Sequence, residues 1–236
     1  GLFPHIASQN AIAPFLRGFK PSFKRSNGFF INGAKLDNRF LNQMDHEQWM
    51  KTTHEFTMAL TDSVFETALK KLPLSSYSLR HQELLDIMKK RRDNLAGASE
   101  KYFFFLNRIS DIRVSDKNEL IRITDGPDGS MLIHVNKLSR EGNTREQFFS
   151  KKYFPSVTKE IRIFTGKGND SIYINTKRSI KLRIVGGDGN KAYQLVHVGG
   201  KLHVYEKENN AHFYGQHHRV RKHLSNDSLN TAIVPT

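Results

Sequence analysis

The segment "RIFTGKGNDSIYI" at residues 162–174 is written a second time as "RIVGGDGNKAYQL" at residues 183–195. Arg162, Ile163, Gly166, Gly168 and Asn169 return 21 residues later as Arg183, Ile184, Gly187, Gly189 and Asn190. A worn third copy follows in "KLHVYEKENNAHFYG", where Leu202, Val204 and Asn210 stand 20 residues beyond Leu182, Ile184 and Asn190. A period of this length with a glycine-rich corner is that of a β-solenoid rung. One rung cannot bury its apolar face alone, so neighbours must stack and equivalent residues align. Ile163, Ile184 and Val204 then form one interior column, and Ile172, Tyr193 and Phe213 a second. Gly166, Gly168, Asn169, Gly187, Gly189 and Asn190 are the structural corners, where glycine meets a positive φ or a close backbone approach. Successive hairpins with similar turns are the alternative.

The corner also suggests a ligand. Calcium-binding repeats read G-G-x-G-x-D-x-U-x, with the aspartate supplying hard oxygen. The first corner, Thr165 to Ile172, keeps Asp170 but lacks the first glycine. The second, Gly186 to Tyr193, offers Asp188 but has Lys191 where the ligand aspartate belongs. Asp170 and Asp188 are therefore the candidate calcium ligands. The wider spacing of the corners and the misplaced lysine favour a structural corner without a cofactor.

Upstream of the repeat the pattern changes twice. Residues 1–44 have little periodicity and read as a coil packing down Phe15, Phe19, Phe23, Phe29, Phe30 and Phe40, with Asn-Gly turns at Asn27 and Asn32. Asp45, with Gln48 three residues on, opens a helix whose face is Trp49, Thr53, Phe56 and Leu60. Ser63 with Glu66 suggests a second capping box, for a short helix ending before Pro73. A third helix is expected from Ser78 to Asn107, with Leu84, Leu85, Met88, Leu95, Tyr102, Phe103 and Leu106 inward. Lys89 to Arg92 fall mainly on its wet side, and Gly97 is its weak point. After Ile109 the period becomes two, and Asp125 to Gly129 makes a hairpin turn between Leu120–Thr124 and Met131–Val135. A further strand runs through Tyr153. The expected fold is α+β: residues 1–109 hold an N-terminal coil and a three-helix region. Residues 110–236 hold an antiparallel β-sheet leading into the solenoid-like repeat, with copies near 160–176, 181–197 and 201–215.

The 236 residues carry 37 Lys and Arg against 23 Asp and Glu, a formal charge of +14. Such a balance favours polyanionic neighbours such as anionic lipid, lipopolysaccharide or nucleic acid. The basic residues lie in separate islands, among them "KKRR" at 89–92, "KRSIKLR" at 177–183 and "HHRVRKH" at 217–223. No zinc-finger spacing, RNP strand or GxxG clamp accompanies them, which argues against nucleic acid. The absence of cysteine excludes disulfides and thiol chemistry. No apolar run approaches the ~18 residues of a membrane-spanning helix. The opening "GLFPHIASQNAIAPF" lacks the features of a signal peptide, and the chain reads as a processed or excised segment.

Catalytic patterns are thin. His46-Glu47 and His54-Glu55 lack the second histidine of H-E-x-x-H. His212, His217, His218 and His223 match no metal-site spacing and read as a surface histidine-rich stretch. Asp62, Glu66, Glu83 and Asp86 are ordinary helix-surface acids. P-loop, nucleophile-elbow and dinucleotide fingerprints do not occur.

The order of segments resembles a known architecture. It is carried by "NGFFINGAKLDNRFLNQMDHEQWMKTTHEFTMALTDSVFETALKKLP", "LLDIMKKRRDNLAGASEKYFFFLNR", "KEIRIFTGKGNDSIYI" and "IKLRIVGGDGN". Together these resemble the soluble middle region of large Bacteroidetes-type envelope proteins. There a calcineurin-like metallophosphoesterase domain precedes the region and a surface-antigen type outer-membrane β-barrel follows. The resemblance spans roughly residues 13–200 and is most specific at Leu60-Thr61-Asp62, Lys90-Arg91-Arg92-Asp93 and Gly186-Gly187-Asp188-Gly189. Neither the phosphoesterase's metal motifs nor barrel strands occur in this chain. Asp170 keeps the family's aspartate after the corner and Lys191 departs from it. The resemblance implies a non-catalytic, periplasm-facing linker or interaction module near the outer membrane, partnered by neighbouring domains of the same protein. A calcium-stabilised repeat, an accessory domain of a phosphoesterase and a polyanion-binding domain are the alternatives.

Overall fold

The computed structural model describes residues 19–21, 33–41 and 43–231. They fall into two compact units, a helical one ending at Leu106 and a β unit opening at Asn107, with the short stretch from Asn38 grouped with the second. Among the described residues, no helix is long and apolar enough to cross a membrane.

The described residues contain five α-helices, where the sequence suggests three. A short helix, α1 (Ala34–Phe40), replaces part of the expected coil. Phe40 is 76% exposed and Phe19 50%, so neither is packed down as expected. Phe15, Phe23, Phe29, Phe30 and the turns at Asn27 and Asn32 lie outside the described residues. α2 (His46–Ala59) opens on the capping box that Asp45 and Gln48 predict: the Gln48 N–H donates to Asp45 Oδ1 at 2.8 Å, and the Asp45 N–H to Gln48 Oε1 at 3.2 Å. Its inward contacts are polar. Trp49 Nε1 and Thr53 Oγ1 both reach Ser99 Oγ at 2.8 Å, while Phe56, expected inward, is exposed.

α3 (Asp62–Leu69) is capped by Thr61, whose hydroxyl accepts from the Val64 N–H, and not by Ser63. The long helix expected from Ser78 starts earlier, just after Pro73, and is two helices, α4 (Leu74–Asp93) and α5 (Leu95–Asn107). The break is at Asn94, whose amide donates to Lys90 O at 2.6 Å and competes for the helix backbone. Gly97 lies inside α5 without breaking it. Phe65, Leu69 and Leu85 form a small core. Arg92 faces it and not the wet side: its guanidinium lies 5.6 Å from the Phe65 ring, donates to Leu60 O at 3.1 Å and pairs with Asp62 at 2.6 Å. Lys89 joins Asp62 at 3.0 Å, and these cations hold the Asp62 carboxyl below its usual range. Two of the segments on which the resemblance rests, at 60–62 and 90–93, thus meet in one clasp.

The second unit is a β-solenoid of two facing sheets. Its strands are β1 (Ile109–Arg113), β2 (Glu119–Asp125), β3 (Met131–Leu138), β4 (Thr144–Tyr153), β5 (Glu160–Phe164), β6 (Asp170–Thr176), β7 (Lys181–Val185), β8 (Lys191–Val198), β9 (Leu202–Glu206), β10 (Ala211–Gly215) and β11 (Val220–Leu224). The chain alternates between sheets, so one has the order β1-β5-β7-β9-β11 and the other β10-β8-β6-β2-β3-β4. All pairs are parallel except those made by β3, which with β4 forms the expected antiparallel meander. The stacking is in register: Ile163 pairs with Ile184 and Ile184 with Val204, and in the other sheet Ile172 pairs with Tyr193 and Tyr193 with Phe213. These are the two interior columns that the repeat predicts.

One rung escapes the repeat pattern. β1 and β2 stack on β5 and β6, with Ile112 opposite Ile163 and Ile121 opposite Ile172, a separation of 51 residues. β3 and β4 are inserted after this rung, and its corner, Ser115 to Asn118, contains no glycine. An asparagine ladder ties the corners: the Asn169 N–H donates to Asn118 Oδ1 and the Asn190 N–H to Asn169 Oδ1, both at 2.9 Å. At the far end Lys222 stands in register with Val204 at the exposed end of the column, and its ammonium sits 4.0 Å from the centre of the Phe213 ring. Both columns therefore finish in one cation–π contact.

Gly168 and Gly189 occupy equivalent corners with φ of 97° and 88°. A Cβ added at Gly189 would stand 2.2 Å from Gly168 O, and one at Gly168 2.3 Å from Lys117 O. Both strain and backbone collision oppose a side chain. Gly168→Val and Gly189→Val should each lower stability by about 1–3 kcal/mol or more, read from urea unfolding midpoints. A change within about 0.5 kcal/mol at either position would contradict the stacked-corner geometry.

Candidate functional site

The chemistry-bearing residues of the repeat meet inside the solenoid, at the corner that joins the two sheets. Asp170 opens β6 and Lys191 opens β8 in the equivalent place, and both side chains are sealed from solvent. The Lys191 ammonium donates to Gly168 O at 2.7 Å and Asp188 O at 2.9 Å, and lies 3.2 Å from Asp170 Oδ2. Asp170 Oδ1 accepts the Glu119 N–H at 2.9 Å. The lysine that departs from the calcium pattern thus places its own cation among corner oxygens.

Asp170 and Asp188, the candidate metal ligands, are not brought to a common point. Asp170 is inward and 2% exposed, while Asp188 has an exposed carboxylate paired with Lys207 at 2.6 Å. Among the described residues, no group of three or more His, Asp or Glu converges to hold a metal. The tail histidines do not converge either: His223 stacks on Tyr205 and His203, while His217 lies beside Lys222. The six corner residues are structural in geometry. Gly166, Gly168 and Gly189 have positive φ, Gly187 lies against Gly166 O, and Asn169 and Asn190 form the ladder.

Two carboxylates that the repeat does not single out complete the cluster. Glu119 is fully buried, with Oε1 accepting from Ser115. Glu206 is fully buried too, and the Tyr193 hydroxyl donates to its Oε1 at 2.7 Å. It fits because Gly186 lies beneath it: a Cβ on that glycine would come 1.9 Å from Glu206 Oε2. The signal for this pairing is present as Gly186 and Glu206 at matching rung positions, but only the register makes it readable.

One ammonium therefore contacts Asp170 and acts at longer range on Glu119 and Glu206, and Oε2 of both glutamates lacks a hydrogen-bond donor. Burial raises all three; it pushes Asp170 and Glu206 up to about 7, against the pull of Lys191. Retaining a proton here, and not transferring one, is what a site closed to solvent can do. On the outside of the second sheet a shallow cavity of about 300 Å³ is lined by Tyr173, Gln194 and Tyr214 over Ser171 and Ala192. Its lining is hydroxyls, one amide and apolar side chains. No family model, curated protein or solved structure matches this chain.

Removing one partner of the buried pair should be costly. Lys191→Met leaves Asp170 uncompensated and should lower stability by about 3–5 kcal/mol, with recovery of part of that loss when Asp170→Asn is added. Equal cost in single and double variants would show that the pair is not coupled.

The raised carboxyls also set a pH dependence. For Glu206, whose ordinary value is 4.5, the stability from holding the proton is complete below that value and lost as pH rises through about 7, while Asp170 is the carboxyl whose charge Lys191 pairs. His203, whose pKa is lowered by burial and neighbouring cations, acts in the opposite sense. The readout is therefore a difference: Glu206→Gln keeps the tyrosine bond and should gain roughly 2–3 kcal/mol on the wild type between pH 5 and 8. A constant difference across that range would contradict a protonated Glu206.

Proposed function

We propose that this chain is a non-catalytic scaffold and interaction module that links neighbouring domains of a bacterial envelope protein and faces the periplasm. The observation that supports it best is the sealed corner. The residues with the strongest claim to chemistry, Asp170 and Lys191, neutralise each other with no exposed surface. The repeat is spent on stacking, and its corner ligands are spent on the chain's own ammonium. The envelope setting is supported by the resemblance of the segment order, including the 60–62 and 90–93 segments that form the Arg92 clasp.

A rigid stack is suited to positioning. In-register parallel pairs run through four rungs, so force applied at one end reaches the other through backbone hydrogen bonds. An accessory role beside a phosphoesterase is compatible with this reading, because the scaffold supplies no reacting group of its own.

The test is to incubate the isolated chain with p-nitrophenyl phosphate and bis(p-nitrophenyl) phosphate in the presence of manganese, zinc or calcium. No turnover above the metal-only blank is expected. Calcium should leave the melting temperature unchanged, since a ligand of the native state would raise it. Turnover abolished by one or two point substitutions would overturn the scaffold reading. A calcium-dependent rise of several degrees, lost in Asp170→Asn, would replace it with a calcium-stabilised module.

A further inference from the structure

The outer face of the first sheet carries a charge gradient along the solenoid. One outward column reads Asp111, Arg162, Arg183, His203, Arg221, each opposite the next in register. At the early rungs the positive charge is answered. Asp111 lies 2.7 Å from Arg162, and Glu160 binds both Lys181 at 2.9 Å and Arg183 at 3.1 Å. From β9 onward it is not. Lys201, Arg219 and Arg221 are exposed and form no ion pair among the described residues, and the acid of β9, Glu206, is turned into the core.

The side chains on this face are held in place before any ligand arrives. Tyr205 is covered by His223, 4.3 Å between ring centres, and by the Arg183 guanidinium at 5.4 Å. His203 Nδ1 meets His223 Nε2 at 3.2 Å, and Arg219 donates to Gly199 O. The crowding of cations also helps lower the His203 pKa, after burial itself.

We propose that the outer face of β7, β9 and β11 docks on a phosphate-bearing anionic lipid surface, with Lys201, Arg219 and Arg221 as the contacting cations. Charge complementarity identifies the occupant's sign, and the form of the face identifies its class. Rungs ~4.8 Å apart present the cations on a sheet, with no groove that would grip a duplex. The Tyr205 ring of this face is already covered as described, and on neighbouring β5 Phe164 lies under Arg113 at 4.5 Å. Single-stranded nucleic acid needs such rings free for base stacking. A fluid layer of headgroups needs neither and adapts to a fixed pattern of charge. The face would bind this surface whether or not the chain has a catalytic partner.

The experiment is co-sedimentation of the full chain with vesicles of phosphatidylcholine alone or containing phosphatidylglycerol, alongside titration of a random-sequence DNA duplex. Binding to the anionic vesicles only, weakened steeply by salt, is expected. Each basic residue near such a surface contributes roughly fivefold, so Lys201→Gln/Arg221→Gln should bind about 20-fold more weakly. Arg122→Gln/Lys152→Gln removes the same charge from the second sheet and should change binding less than threefold. Thermal melting of both variants checks that each is folded. Equal weakening by the two pairs would show net charge and not a face. Absence of vesicle binding at low salt, or tighter binding to DNA than to vesicles, would overturn the assignment to lipid.

Discussion

Everything in the β unit depends on parallel pairing without slippage. When Ile163 lies on Ile184, Asp170 to Ile174 also lie on their equivalents in β8, with one residue, Val196, bulged out beyond them, and each choice made in one copy constrains the next. A shift by one residue would turn the apolar columns outward and the arginines inward. The register is held from both directions. Apolar columns fill the interior, and the asparagine ladder clips successive corners through side chain to backbone bonds.

The buried polar corner adds a different kind of constraint. Ion pairs buried in a core often contribute little net stability against an apolar replacement of the same shape. Their influence is on which arrangements are tolerable. Lys191 is satisfied only where Gly168 O, Asp188 O and Asp170 surround it, and Glu206 only where Gly186 leaves room and Tyr193 supplies a hydroxyl. An apolar column accepts several neighbours; these groups accept one. The corner therefore selects the rung order while the columns supply most of the burial.

The columns were legible in the sequence because a solenoid repeats its interior in the chain itself: Ile163, Ile184 and Val204 can be aligned without knowing the fold. The α+β class and the Asp45 cap were legible for similar reasons, as periodicity and local chemistry. The first rung was not. Ser115 to Asn118 turns the corner without glycine, and the β3–β4 insertion moves its partner out of the 21-residue frame. Lys191 stands out as a departure from a metal pattern, but its role as the core's own cation depends on the Gly168 carbonyl and the Asp170 carboxylate of the neighbouring rung. Glu119 and Glu206 carried no signal alone, since an isolated acid in a strand reads as a surface residue. In the helical unit, Arg92 looked like one charge in a basic run, and only the fold of α3 against α4 gives it Asp62 and Phe65.

The two ends of the solenoid are closed by different devices, β3 and β4 at one and Lys222 over Phe213 at the other. This gives the domain a grammar for growth. A rung appended after β11 would set an apolar side chain against an ammonium, and one placed before β1 would need a partner for a sheet already flanked by antiparallel strands. New length can enter only in the middle, by copying a whole interval between equivalent corners. Partial duplications would strand Lys191 without its carbonyls or Glu206 without its glycine. Relatives built on this plan should accordingly differ in length by whole rungs, and the extra rungs should descend from the β5–β8 segment.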